Sequence, residues 1–282
     1  MARTKNNAPA GVPQLLQDWR FDEPRKKIDL AKLDPAAKPF SSGDKALDKQ
    51  QVEQLAIDLD ACQNLLWANK RPRLLVVLQG IDTSGKDGTL RAVCGRMSPL
   101  GVRTTAWKAP NETERSHDFL WRIHRQMPAA GEIMVFNRSH YEDVLVPVVN
   151  GTLEGADIAR RYAQINDFER LQHETGTVVL KFMLHISRQE QRARLQARID
   201  DPTKRWKFQR EDLDVRTLWD AYQQAYARAI AATSTPNAPW IIVPADSKTH
   251  RNLMVASVIK HTLQSLKLEY PDQPDIAGLK IS

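Results

Sequence analysis

The chain has 282 residues, of which 41% are hydrophobic, and it carries a net charge of +7 with a pI near 9.4. That length suits one α/β domain, alone or with a lid. A mean hydropathy of −0.50, with no apolar run of membrane-spanning length, predicts no helical bilayer span. Cys62 and Cys94 are far apart and in no metal spacing, which argues against a disulfide framework and suits a reducing compartment. The opening MARTKNNAPAGVPQLL lacks the apolar core of a secretory signal, so a cytoplasmic location is expected. The basic charge points to a polyanionic partner, whether nucleic acid, anionic membrane or a phosphate-rich substrate, and its distribution has to decide.

In chain order, residues 1–44 are rich in Pro, Ala and Lys and read as an arm wrapping the domain. Residues 45–70 read as a helix on the spacing of Leu47, Val52, Leu55, Leu59, Leu66 and Trp67, closed by Pro72. Five strands are expected at Leu74–Gln79, Thr104–Trp107, Glu132–Asn137, Val178–Ile186 and Trp240–Val243. Helical patterns lie between and after them, near 86–97, 112–127, 156–174, 188–232 and 248–267. This alternation predicts a parallel five-stranded sheet with helices on both faces. The segments at 74 and 132 are apolar enough to be central strands. The tail, 271–282, reads as irregular.

The first motif is GIDTSGKDGT, which follows a strand and opens a helix. It fits G-x-x-x-x-G-K, except that Asp87 stands where a hydroxyl residue is usual. Gly80, Gly85 and Gly88 permit a tight turn, so backbone N–H groups, those of Thr83 and Ser84 included, converge on a phosphate. The helix N-terminus adds positive partial charge, and Lys86 reaches toward a transferred phosphoryl. The usual hydroxyl is a magnesium ligand, and Asp87 offers that role a full charge. Asp82 brings a second carboxylate, as a metal ligand or as a general base. Two carboxylates beside a phosphate cradle repel the substrate unless cations sit between them. The alternatives are an ordinary strand–helix turn, and for either aspartate, Asp87 in particular, a helix N-cap.

The second motif, EIMVFNRSHYEDVL, is an apolar strand ending in a polar cluster. Asn137 occupies the place where an acid commonly positions magnesium, which makes Glu142 the substitute carboxylate. Arg138 offers a bidentate fork to phosphate. Two basic segments follow the same theme. RSHDFLWRIHRQMP places Arg115, Arg122 and Arg125 at helical spacings. RQEQRARLQARIDDPTKRWKFQR holds eight Lys/Arg and three acids, with Arg194 and Arg198 on one helical face and Trp206 and Phe208 among Lys204, Arg205 and Lys207. Two basic helical segments beside a phosphate loop read as a lid that excludes water from a transfer reaction. A solvated helix face is the plainer alternative.

Taken together, GIDTSGKDGT, WKAPNETERSHDFLWRIH, NRSHYEDVL and KRWKF resemble the polyphosphate kinase 2 family over residues 40–270. The resemblance implies a P-loop kinase-like α/β/α fold with lid segments near 110–127 and 188–216. It also implies reversible, magnesium-dependent phosphoryl transfer between inorganic polyphosphate and adenine nucleotides, with manganese as an alternative metal and guanine nucleotides as further acceptors. The Asn137-Arg138-Ser139-His140-Tyr141-Glu142 version is similar to the class III subgroup, which accepts AMP as well as ADP. Carried over by position, Asp82, Lys86 and Arg138 would be catalytic, and Asp82, Asp87 and Glu142 would hold metal. Gly80, Thr83, Ser84, Gly85, Gly88, Arg122, Arg198, Lys204, Arg205 and Lys207 would bind phosphates. Asn111, Glu112, Arg115, Arg125, Asn137 and Tyr141 would serve the nucleotide and lid. A homo-oligomer, dimer or tetramer, is expected, with the 45–70 helix and Trp219, Tyr222 and Tyr226 as candidate contacts or, on an equal reading, core residues, and no nucleic-acid or membrane partner. The competing readings are an ATP-dependent nucleotide kinase on the same fold and a basic module that binds nucleic acid without chemistry.

Overall fold

The computed structural model describes residues 11–25, 27–272, 276 and 279–281. The beginning of the expected arm and much of the expected irregular tail lie outside the described residues. From the N-terminal side come a helical turn α1 (Val12–Leu15), a two-residue strand β1 (Arg20–Phe21) and the long helix α2 (Lys45–Asn69). β2 (Arg73–Gln79), α3 (Lys86–Cys94) and β3 (Val102–Ala106) follow. Then come two short helices, α4 (Glu112–Arg115) and α5 (Trp121–His124), and β4 (Ile133–Asn137). The chain continues through α6 (Glu142–Val149), α7 (Ala156–Glu174), β5 (Thr177–His185) and α8 (Arg188–Asp200). It closes with α9 (Glu211–Thr217), α10 (Trp219–Thr233), β6 (Trp240–Pro244) and α11 (Lys248–Ser265).

β2 to β6 are mutually parallel, in the sheet order β1-β6-β5-β2-β4-β3. They match the five strands expected from the sequence. The sixth strand, β1, pairs antiparallel with β6 through Arg20 and Phe21. Two residues carry no alternation, so nothing in the sequence marks it. Either side of β1 the chain is tied to β6 and to the turn after it. Ile242 N donates to Trp19 O at 2.8 Å, and Asp246 N donates to Pro35 O at 3.1 Å.

β2 is buried along nearly its whole length because helices cover both faces. Leu74, Val76 and Leu78 point into one core with Leu55, Leu59 and Leu66 of α2 and Leu253 and Ile259 of α11. Leu75 and Val77 point into the other with Met134, Phe136, Tyr141, Ile165 and Ile230. Trp219 and Tyr226 belong to these cores, so the core reading prevails over an oligomer contact for both. On α2, Leu47 and Ile57 stay exposed. Among the described residues no helix is long and apolar enough to cross a membrane.

Two helical expectations change. The 112–127 pattern is two single turns, because short polar side chains capture the backbone between them. Ser116 Oγ donates to Thr113 O at 2.8 Å, and Leu120 N donates to Asp118 Oδ1 at 2.9 Å. Arg115, Arg122 and Arg125 therefore share no helical face. The 188–232 pattern stops at Asp200, because Pro202 drives Asp201 to extended backbone (φ −93°, ψ 109°), and it resumes as α9 and α10.

One polar knot sits inside the second core. Lys181 of β5 is fully buried, and its three N–H donors reach Glu169 Oε2 at 2.6 Å, Thr233 O at 2.7 Å and Tyr141 Oη at 2.8 Å. Tyr141 Oη donates in turn to Glu169 Oε1 at 2.8 Å. Burial opposes the Glu169 charge, but Lys181 beside it holds the carboxyl below the ordinary range. Removing one partner strands the other in the core. Lys181→Met is expected to lower unfolding free energy by about 3–5 kcal/mol in urea titrations. The double variant Lys181→Met with Glu169→Leu is expected to recover part of that loss.

Candidate active site

The phosphate loop is the turn from β2 to α3. Gly80 has φ +147°, and a Cβ there would meet Ser84 Oγ at 2.7 Å and Leu184 O at 2.8 Å. Gly85 caps α3 at φ +104° with no side-chain hydrogen bond. That removes the N-cap alternative for Asp87, which lies in the first turn of α3 and is exposed. Thr83 also holds a positive φ, +69°, although it is β-branched. The loop's carbonyls are taken up from behind. Lys86 Nζ donates to Gly80 O at 2.6 Å and to Ile81 O at 3.4 Å. Arg194 of α8 donates to Thr83 O at 2.9 Å and Ser84 O at 3.0 Å. Arg251 of α11 adds a bond to Ser84 O at 3.3 Å.

The second motif ends β4 directly beside this loop, since β4 is the neighbour of β2. Its side chains engage the loop's acids. Arg138, at φ +66°, donates to Asp82 Oδ1 at 2.7 Å, and Asn137 Nδ2 donates to Asp87 Oδ1 at 2.6 Å. Glu142 accepts from Gln79 Nε2 at 3.0 Å and lies 3.6 Å from Arg138 Nη1. Burial lowers the Lys86 pKa, offset in part by Asp82. Burial also opposes the Arg138 charge, but Asp82 and Glu142 outweigh it and hold the guanidinium above its ordinary value. Tyr226, whose hydroxyl accepts from Gly80 N at 3.2 Å, is pushed well up by burial and by Glu142.

A cavity of about 980 Å³ opens over the loop. Of the residues expected from the sequence, it brings together Asp82, Thr83, Gly85, Lys86, Asp87, Gly88, Asn137, Arg138, Arg198, Lys204 and Lys207. Lys248 and Arg251, which the sequence reading missed, line it as well. They carry no motif, and only the placement of β6 two strands from β2 brings the start of α11 to the loop. Burial, with Arg194 nearby, pushes the Arg251 pKa down to about 10.

Other expected residues stand elsewhere. Tyr141 is fully buried in the knot with Lys181 and Glu169, so it cannot touch a nucleotide. Arg122 is buried outside the loop cavity. It donates to Lys108 O at 2.9 Å and Asp143 Oδ2 at 3.1 Å, with Glu114 at 3.6 Å. Asn111 is the N-cap of α4 in a reciprocal pair with Glu114. Asn111 and Arg125 line an adjoining groove of about 450 Å³ that shares Ala106 and Trp107 with the loop cavity, and Arg115 lines another with α7. Glu112 is exposed on α4, and Arg205 donates to Ile199 O at 2.8 Å instead of facing the cavity.

Among the described residues no three carboxylate, imidazole or thiol side chains converge as a ready metal cage. The expected set therefore reduces at the cavity to Asp82 and Asp87, with Glu142 tied to Gln79 outside its lining. Two carboxylates at the mouth of a phosphate loop still fit magnesium, which takes one or two carboxylates and completes its shell with phosphate oxygens and water.

The family model for polyphosphate kinase 2 matches residues 42–274. The chain is 44% identical, over 92% of its length and 97% of the relative's, to an AMP/ADP-polyphosphate phosphotransferase of Meiothermus ruber. It is 41% identical, over 88% of this chain and 89% of the relative, to an ADP-polyphosphate phosphotransferase of Rhodopseudomonas palustris. The crystal structure of polyphosphate kinase 2 from Arthrobacter aurescens TC1 superposes with a TM-score of 0.89 at 42% identity, covering 96% of this chain and 94% of that one.

The loop geometry makes its own prediction. A Cβ on Gly85 would lie 1.8 Å from Arg251 Nη1, on backbone that favours glycine. Gly85→Ala is expected to cost about 1–3 kcal/mol of stability from backbone strain alone. Adding Arg251→Ala should relieve the clash but leave that strain, so thermal melts of the pair separate the two causes.

Proposed function

This chain belongs to the polyphosphate kinase 2 family, and on that premise we propose that it moves a phosphoryl group reversibly from inorganic polyphosphate to AMP and ADP. The observation that carries this reading is the cavity over the phosphate loop. Its walls bear eight Lys or Arg side chains, among them Lys86, Arg138, Arg198, Lys204, Lys207 and Lys248, against five acids, Asp82, Asp87, Glu190, Glu211 and Asp212, which leaves a cationic excess before any metal binds. Such a surface suits a polymer with one negative charge or more per residue. AMP as an acceptor is supported by the Meiothermus ruber relative's name and by the Asn137–Glu142 form of the second motif.

In the transfer, an ionised oxygen of the acceptor's terminal phosphate bonds to the terminal phosphorus of polyphosphate. The anhydride bond behind that phosphorus breaks, and its bridging oxygen leaves with the electron pair. No proton need be taken up or released by a side chain, because a phosphate monoester is largely dianionic at neutral pH. A general-base role for Asp82 therefore loses its purpose, and metal binding is the better assignment. The protein's work is positioning and charge neutralisation. Lys86 retains one N–H beyond the two spent on loop carbonyls, available to a phosphoryl oxygen. Arg138 supplies a fork once phosphate competes with Asp82 for it. Arg198 and the Lys204–Lys207 turn follow the rest of the polymer. Magnesium, or manganese with the same oxygen preference, would be held by Asp82 and Asp87 and would supply the positive charge that lets carboxylates and phosphates share one site.

The test is a coupled assay with magnesium and long-chain polyphosphate, offering AMP and ADP in separate reactions. ADP from AMP and ATP from ADP are the expected products. ATP from ADP alone would confine the enzyme to diphosphate acceptors. No product from polyphosphate with either acceptor, together with phosphorylation of a nucleotide when ATP is the donor, would overturn the reading in favour of an ordinary nucleotide kinase. Asp87→Ser, which restores the common loop, is expected to lower kcat by about 10²-fold. Wild-type turnover in that variant at every magnesium concentration would remove Asp87 from the metal site.

A further inference from the structure

Arg194 lies in the basic lid helix, four residues before Arg198, and both line the cavity. By position it belongs with the arginines that would follow the polymer. Its hydrogen bonds say otherwise. A guanidinium has five N–H donors and no more. Nε donates to Glu190 Oε1 at 2.7 Å. Nη1 donates to Thr83 O at 2.9 Å and Ser84 O at 3.0 Å. Nη2 donates to Ala245 O at 2.6 Å and Asp246 O at 3.0 Å. All five are spent inside the protein, and the side chain is only 8% exposed.

We propose that Arg194 is a positioning residue that clasps the phosphate loop to the lid helix and to the turn after β6, and that it does not bind polyphosphate. Two of its acceptors are consecutive carbonyls of the loop. One belongs to Thr83, whose φ of +69° is unfavourable for a β-branched residue. Holding the Ser84 carbonyl back turns the Gly85 amide of the same peptide plane the other way, as a phosphate cradle needs, while Ser84 N closes the turn on Ile81 O at 3.0 Å. The other two acceptors, Ala245 and Asp246, lie just before α11, which carries Lys248 and Arg251 into the cavity. One planar group therefore sets three segments in register: the loop, α8 and the entry to α11. Arg198 differs on this point. Its Nη1 bonds Lys207 O at 3.1 Å and Asp212 Oδ2 at 3.4 Å, which leaves most of its donors unspent.

The conservative variant separates the two roles. Lysine keeps the charge but is a point donor that cannot fork to two pairs of carbonyls. If Arg194 is a clasp, Arg194→Lys should be nearly as impaired as Arg194→Gln. In both, kcat should fall by about 10²-fold, as expected when reacting groups are displaced by an ångström. KM for polyphosphate should change by less than about threefold, whereas Lys204→Ala should raise it. Hydrogen exchange of the free protein gives a readout independent of activity. Amides of residues 80–88 should exchange about tenfold faster in Arg194→Lys, while β5 and α7 stay protected. Near wild-type kcat in Arg194→Lys, or a raised KM for polyphosphate with kcat kept, would overturn the proposal, as would unchanged exchange in the loop. The kinetic arm rests on the polyphosphate reading. A wild-type protein inert toward polyphosphate would sink that reading, and the exchange arm would still judge the clasp.

Discussion

A phosphate loop has to turn its amides outward, and the carbonyls that turn inward as a result must find donors in a space water does not reach. Much of the architecture around residues 80–85 meets this requirement. Lys86 folds back on Gly80 and Ile81, while Arg194 and Arg251 come from two other helices to Thr83 and Ser84. The sheet order makes those helices available. β5 lies beside β2 and β6 beside β5, so the segments leaving both strands, α8 and α11, begin next to the loop that leaves β2. Arg251 then fills the space beside Gly85, which has no room for a Cβ. The cations behind the loop thus have a structural task distinct from that of the cations in front of it.

In front, each loop acid has a partner, but only one partner is charged. Asp82 faces Arg138 and Asp87 faces Asn137. The usual phosphate loop sets a hydroxyl at the start of the helix and an acid at the end of the neighbouring strand. Here the two chemical types have exchanged sides. The carboxylate is on α3 as Asp87, and the neutral amide is on β4 as Asn137. An acid at 137 would face Asp87 at hydrogen-bonding distance and repel it, whereas the Asn137 amide donates to it. The pair still offers one carboxylate and one neutral oxygen at the same place, so the aspartate after the lysine does not make the loop abnormally anionic.

The parts of this structure legible in the sequence are those with local causes. The five parallel strands announce themselves as apolar runs between helical patterns, and the loop and the second motif are continuous in sequence. β1 was invisible because two residues have no period. The lid helices were over-extended because spacing alone ignores Ser116, Asp118 and Pro202, whose local bonds and ring end helices. Lys248 and Arg251 were missed because their nearness to the loop is a property of strand order. Arg122 was misplaced because a basic residue near a phosphate motif looks like a phosphate ligand until its acid partners, Glu114 and Asp143, are seen.

Tyr141 was misread for a reason that explains the second motif as a whole. The segment has a front and a back. Asn137 and Arg138 face the cavity, whereas His140 and Tyr141 turn into the core, where both meet Glu169 and Tyr141 also meets Lys181. Arg138 sits at φ +66°, a conformation that costs free energy and persists only when its flanks are fixed. On one side it is fixed by β4, whose Phe136 is fully buried. On the other it is fixed by the buried ionic knot three residues on. A buried Lys–Glu pair adds little net stability over an apolar equivalent, but its directional bonds define where Tyr141 must be. That requirement carries back through Ser139 to the guanidinium of Arg138. In this chain, polar groups buried away from the cavity set the position of those that line it.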